Sequence, residues 1–123
     1  MSLLEPAEIN HDRSLLAAGK YSVWFKTSIG EGAGVVELSC DGEIRGGDST
    51  FCYTGHWQQE RQRVQARVCA KRTLPGPPGV FGMDELDLTL TGYTDATSVS
   101  CTGFARQSPG LRLDVTLLRI GDD

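Results

Sequence analysis

The sequence predicts an all-β protein: about eight strands closed into an antiparallel up-and-down barrel, with a short N-terminal extension. Three observations carry this. From Gly19 onward apolar and polar residues alternate with a period of two, the pattern of strands buried on one face. The chain of 123 residues holds 15 glycines, and glycine at that density suits turns and tight sheet corners while disfavouring long helices. Most runs are separated by short turn signals, and sequential antiparallel strands of that number commonly close into a barrel, which removes the two edges of an open sheet. A pair of packed sheets is the alternative architecture.

Residues 1–18 form the extension. Leu3, Leu4, Ile9, Leu15, Leu16, Ala17 and Ala18 are mixed with acids and show no alternation. The expectation is a partly disordered segment or a short helix, with Asp12 or Ser14 as its cap and Gly19 as its C-terminal stop. Residues 19–123 form a single barrel domain. In GKYSVWFKT, Tyr21, Val23 and Phe25 share one face and Trp24 the other. GEGAG at Gly30–Gly34 reads as a loop. Asp41-Gly42 lies between two β-favouring runs and predicts a hairpin. Gly46-Gly47 predict a sharp bend, with Asp48 and Ser49 accepting from free amides there.

Phe51, Tyr53, Gly55 and Trp57 then fall on one parity, with Gly55 leaving room for a neighbouring ring. RQRVQARVCAKR is the clearest strand, with Val64, Ala66, Val68 and Ala70 inward and cations outward from Arg61 to Lys71. TLPGPPGVFG is a loop. Leu86, Leu88 and Leu90 point in from the next strand, while Glu85 and Asp87 point out. SVSCTGF is a short strand, SPG reads as a turn, and the closing strand turns Leu111, Leu113, Val115 and Leu117 inward and Leu118 outward.

Composition narrows the chemistry. The formal net charge is -4, so the arginine-bearing strand reads as a solvated outer face and nucleic acid is not the expected partner. No apolar run approaches the ~18–20 residues that span a bilayer as a helix. The N-terminus lacks the positive start of an export signal, which predicts a cytoplasmic protein. Cys40, Cys52, Cys69 and Cys101 show no close pairing, so four reduced thiols on strands are expected, with no metal and no cofactor. Tyr53, His56 and Asp48 carry acid–base groups, but Tyr53 and His56 lie on opposite parities and do not converge on one point. No enzyme motif stands out.

The order of these pieces resembles the GrlR-like family, small bacterial proteins named for a negative regulator of type III secretion gene expression. The resemblance covers about residues 19–120. It rests on the Tyr21–Phe25 strand, GAGVV, the Asp-Gly hairpin, GGDSTFCYTG, LDLTLTG and PGLRLDVTLLR. Phe51 and Cys52 stand where family members tend to show tyrosines. The resemblance implies a lipocalin-like homodimeric barrel without enzymatic activity, which binds a transcriptional activator and keeps it from DNA. It also implies an acidic contact motif. The matching stretch here is Asp84, Glu85 and Asp87, interrupted by Leu86.

Two functions follow as expectations. One is a regulatory protein that binds another protein, with Asp84, Glu85 and Asp87 as its contact residues. Outward Trp24 and Leu118 would be buried in its homodimer. The other is a carrier of a small apolar ligand, with Tyr21, Phe25, Phe51, Tyr53, Trp57 and Leu88 lining the interior. Barrels of this size hold either packed side chains or one small molecule.

Overall fold

The computed structural model describes residues 16–75, 83–95 and 97–121. Eight strands run in chain order: β1 (Gly19–Thr27), β2 (Gly30–Leu38), β3 (Glu43–Gly47), β4 (Phe51–Glu60), β5 (Arg63–Arg72), β6 (Glu85–Thr94), β7 (Ser98–Ala105) and β8 (Ser108–Gly121). Each pairs antiparallel with the next, and β8 returns to β1 to close the barrel. The two-residue period decides which side chains fill it. Val23, Val36, Tyr53, Val64, Ala66, Ala70, Leu86, Leu90, Val99, Leu113 and Val115 are all buried, while the alternate positions carry Arg63, Arg67, Lys71, Glu85 and Asp114 outward.

Up-and-down order sends alternate connections to opposite ends. One end collects the Ser28–Ile29 turn, the Asp48–Thr50 link, the approach to β6 and the Arg106–Gln107 turn. The other collects the Ser39–Gly42 turn, the Arg61–Gln62 turn, the β6–β7 link and residues 16–18. That second end is a closed floor. Leu16 is buried in the core, and its amide donates to Gln59 Oε1 at 2.7 Å. The Tyr21 hydroxyl donates to the Ala17 carbonyl at 2.6 Å, and the Arg119 guanidinium donates to the Ala18 carbonyl through Nε at 3.2 Å and Nη2 at 3.0 Å. The end of the expected extension is therefore part of the barrel. Its candidate helix caps, Asp12 and Ser14, lie outside the described residues, as does most of the TLPGPPGVFG loop.

Several local expectations are corrected. Gly30–Gly34 is the first half of β2. Gly32 stands opposite Phe25, and a Cβ there would lie 2.6 Å from Phe25 Cε1, so the missing side chain makes room for a ring in a strand. The turn precedes it at Ser28–Ile29, where the Ile29 amide donates to Thr27 Oγ1 at 3.2 Å. Gly55 does not admit a ring: its missing Cβ would meet the Arg67 carbonyl oxygen at 2.1 Å and Val68 Cα at 2.9 Å, so it allows close approach of the β5 backbone.

Arg61 turns the chain between β4 and β5 with a φ of 58° and is not part of the strand. Ser108-Pro109-Gly110 opens β8 after a turn at Arg106–Gln107. The β7–β8 register shifts between Gly103 and Ala105 beside it, and irregular pairing is where a sheet tolerates proline.

Candidate functional site

The interior is open. A cavity of about 430 Å³ runs down the barrel axis. Its wall is apolar: Val23, Leu38, Val64, Leu90, Val99 and Leu113 contribute from six different strands, and Leu16 lies at the floor. Small residues keep it open, because Ala66 and Ala70 face inward on β5 where larger side chains would fill the centre.

The expected lining residues can now be located. Phe25, Phe51, Tyr53, Trp57 and Leu88 line the cavity. The Phe25 and Tyr53 rings meet edge to face with centroids 6.1 Å apart. Tyr21 is the correction: it is fully buried and packed at the floor, where its hydroxyl binds the Ala17 carbonyl, and it forms no part of the cavity wall.

The mouth is built around Asp48. Its Oδ1 accepts from the Thr50 amide at 2.9 Å and the Phe51 amide at 2.8 Å, and its Oδ2 accepts from the Tyr53 hydroxyl. Partial burial pushes the Asp48 carboxyl up. The hydrogen bonds from Tyr53, Thr50 and Phe51 outweigh that push and hold it below the usual carboxylate range. Burial, then the hydrogen bond to Asp48 and its charge, push the Tyr53 hydroxyl well above its usual range. The pair is thus a carboxylate held by a protonated phenol. Glu31 also borders the mouth, but it takes the outward parity of β2 and stands opposite Lys26. Asp48 and Glu31 are the only Asp, Glu, Lys, Arg or His among the described lining residues. Arg72 lies near this rim, 5.0 Å from the Phe51 ring centroid, with its Nε donating to Asp84 Oδ1 at 2.7 Å.

Two further features of the interior matter. Trp57 Nε1 is buried with no hydrogen-bond partner among the described residues. Cys101 lines the cavity, and burial pushes its thiol up to about 11, so it behaves as a small apolar residue. Cys40 and Cys52 are exposed, and Cys40 sits in the turn after β2, not on a strand. His56 is exposed on the outer side of β4, away from the Asp48–Tyr53 pair.

The acids on β6 and just before it are each met by a cation. Asp84 pairs with Arg72 at 2.7 Å, Glu85 with Lys71 at 3.8 Å and Asp87 with Arg106 at 2.7 Å. The hydrogen bond from Arg106 holds the Asp87 carboxyl below its usual range. The sequence indicates their outward direction but not this local neutralisation, which depends on which strands lie beside β6.

A different outer face is uncharged. Cross-strand register aligns Val35, Ser22, Leu118 and Ser98 in one row, and Ala33, Trp24, Thr116, Ser100 and Tyr93 in the next. Charged pairs border it, Glu37 with Lys20 on one side and Glu31, Lys26 and Asp114 on the other. Within it Trp24 is 48% exposed and Leu118 44% exposed.

Sequence reasoning missed Leu16 and the position of Glu31 beside the mouth. The only signal for Leu16 is an apolar residue shortly before the first strand, and Glu31 was hidden by reading its segment as a loop. The fold and site together define a closed eight-stranded up-and-down barrel with an apolar chamber and Asp48 at its mouth. No family model matches the chain, and no curated protein matches it. Among the described residues, no helix is long and apolar enough to cross a membrane, and no group of three or more His, Cys, Asp or Glu side chains is placed to hold a metal ion.

Proposed function

We propose that the protein binds a small hydrophobic molecule inside the barrel. The single observation that carries this is the open apolar chamber of about 430 Å³. That volume lies within the ~300–1,000 Å³ typical of ligand sites, which are mostly apolar with a few convergent polar groups. Here the polar groups are the Asp48–Tyr53 pair with Ser49 and Thr50 at the mouth. Titration with the neutral dye Nile red tests the proposal. Saturable one-to-one fluorescence enhancement is expected, and Ala66→Phe, which takes up part of the chamber, should abolish it while the barrel still melts cooperatively. No saturable signal with the wild-type protein refutes the proposal.

A second reading is a non-enzymatic regulatory protein of the GrlR-like kind, which binds another protein as a homodimer. The uncharged rows around Trp24 and Leu118 favour it. This face exposes Trp24, Val35 and Leu118 among serines and threonines, apolar area that is costly to leave wet, and a second copy offers the same charge-free surface in return. Asp84, Glu85 and Asp87 are its partner-binding candidates, and a basic partner would have to exchange their present ion pairs. Light scattering tests the dimer: the wild type should scatter as a dimer at micromolar concentration and Trp24→Lys as a monomer. A monomeric wild type refutes it. Pull-down with Glu85→Lys and Asp87→Lys tests the partner surface, and capture indifferent to both changes refutes that assignment.

A further inference from the structure

Charge is spread unevenly over the outside of the barrel. Glu43, Glu85, Asp84, Asp87 and Asp114 each lie against a cation: Arg45, Lys71, Arg72, Arg106 and Arg112 in that order. Arg63 and Arg67 on β5 are exposed and enter no ion pair among the described residues. Cross-strand register sets His56 and Thr89 beside Arg67, and Gln58 and Thr91 beside Gln65. Arg63 stands between Glu60 and the exposed Tyr93. In these rows across β4, β5 and β6, Glu60 is the single acid against two guanidinium groups, so the face keeps positive charge.

A shallow open depression adjoins it on the same outer side. Thr89, Thr91, Thr102, Phe104, Pro109 and Arg112 line it. Phe104 and Pro109 are exposed, and a Cβ at Gly110 would meet nothing within 4 Å, so a side chain can enter from outside. Threonine methyl groups and the two rings make the depression suited to an apolar side chain. Arg112 is already held by Asp114 at 3.0 Å. Arg67, beside Thr89, is the adjoining cation that remains to meet a carboxylate. An aliphatic or aromatic anchor in a hollow, flanked by arginine contacts, is how protein surfaces concentrate binding energy.

We propose that this face docks an acidic protein segment in extended form. A Leu or Phe side chain of the partner seats in the depression, and its carboxylates meet Arg67 and Arg63. The two arginines are four residues apart on one side of a strand, about 13 Å at the rise of extended chain. Carboxylates at every fourth position of an extended partner match that spacing. The net charge of -4 opposes a dense polyanion such as nucleic acid more than a segment bearing a few carboxylates. The surface is distinct from the chamber and from the Asp84, Glu85 and Asp87 stretch, and its partner has the opposite sign to a partner of those acids.

Fluorescence anisotropy of a fluorescein-labelled peptide repeating Glu-Ser-Leu-Ser tests it, because Glu and Leu then share one face of an extended chain. Saturable binding that weakens as salt rises is expected. A Gln-Ser-Leu-Ser repeat should bind about three- to thirty-fold more weakly, the range of two exposed ion pairs. Arg63→Gln and Arg67→Gln should each weaken the acidic peptide by about two- to five-fold and leave the Gln repeat unchanged. Phe104→Ala should weaken both peptides. An acidic peptide that binds no better than the Gln repeat, or equally well after both arginine substitutions, overturns the proposal. Single-stranded oligothymidylate bound more tightly than the acidic peptide assigns the face to nucleic acid instead. Preference for a Lys-Ser-Leu-Ser repeat, lost in Glu85→Lys, rejects this face and leaves the acidic stretch as the contact surface.

Discussion

Leu113→Ala probes how the core and the chamber share the same side chains. Leu113 is 1% exposed and also faces the cavity. The substitution removes three carbon atoms from an apolar surround, which at ~0.8 kcal/mol per buried carbon unit costs about 2.4 kcal/mol. In a sealed core a further penalty follows, roughly 24 cal/mol per Å³ of new void, and carries such changes towards 5 kcal/mol. Here the space vacated merges with a chamber that is already open, so less packing is lost. The expected cost is therefore about 2–3 kcal/mol, in the lower half of the range for Leu→Ala. Urea unfolding followed by far-ultraviolet circular dichroism measures it. A loss under ~1 kcal/mol would mean that β8 does not turn Leu113 inward, and a loss of ~5 kcal/mol would mean that the interior is sealed and packed.

Gly55→Ala should destabilise the barrel by more than ~2 kcal/mol, because the new methyl group meets backbone and not a movable side chain; an unchanged melting temperature would contradict the close approach of β4 and β5. Asp48 has its carboxyl pKa lowered on folding, so its contribution is present above the unfolded value of about 3.9 and is lost as pH falls through the folded value. The stability advantage of wild type over Asp48→Asn should therefore shrink below about pH 4, and acid melts of both proteins would show it; an advantage independent of pH would contradict it. Cys40 and Cys52 should react with iodoacetamide in the folded protein and Cys101 only after unfolding, as mass spectrometry of the labelled peptides would show; rapid labelling of Cys101 would contradict its burial.

The strand count and inward faces were legible because two-residue alternation survives without reference to neighbours. β5 and β8 show it most plainly: Val64, Ala66 and Ala70 are buried on one, and Leu113 and Val115 on the other. What escaped depends on cross-strand partners. Gly30–Gly34 carries the composition of a loop, yet the Phe25 ring opposite Gly32 makes it a strand. The Arg61–Gln62 turn contains no glycine, asparagine or aspartate, so nothing local announces it.

The site was legible only in part. Parity brought Phe51, Tyr53 and Trp57 to one wall, and the same parity pointed Tyr21 inward without saying that it lies at the floor. Whether a barrel is filled or hollow turns on summed volumes around its axis, and one strand's sequence does not contain that sum. The indole of Trp57, without a partner among the described residues, and the ion pairs of Asp84, Glu85 and Asp87 likewise follow from neighbours far away along the chain.

Crystals pressurised with xenon test the hollow interior most directly, because an open apolar cavity in a protein takes up the gas. An open chamber predicts xenon between Leu90, Val99 and Leu113, with the surrounding side chains unmoved. A barrel centre filled by those side chains, with no xenon inside, would contradict it.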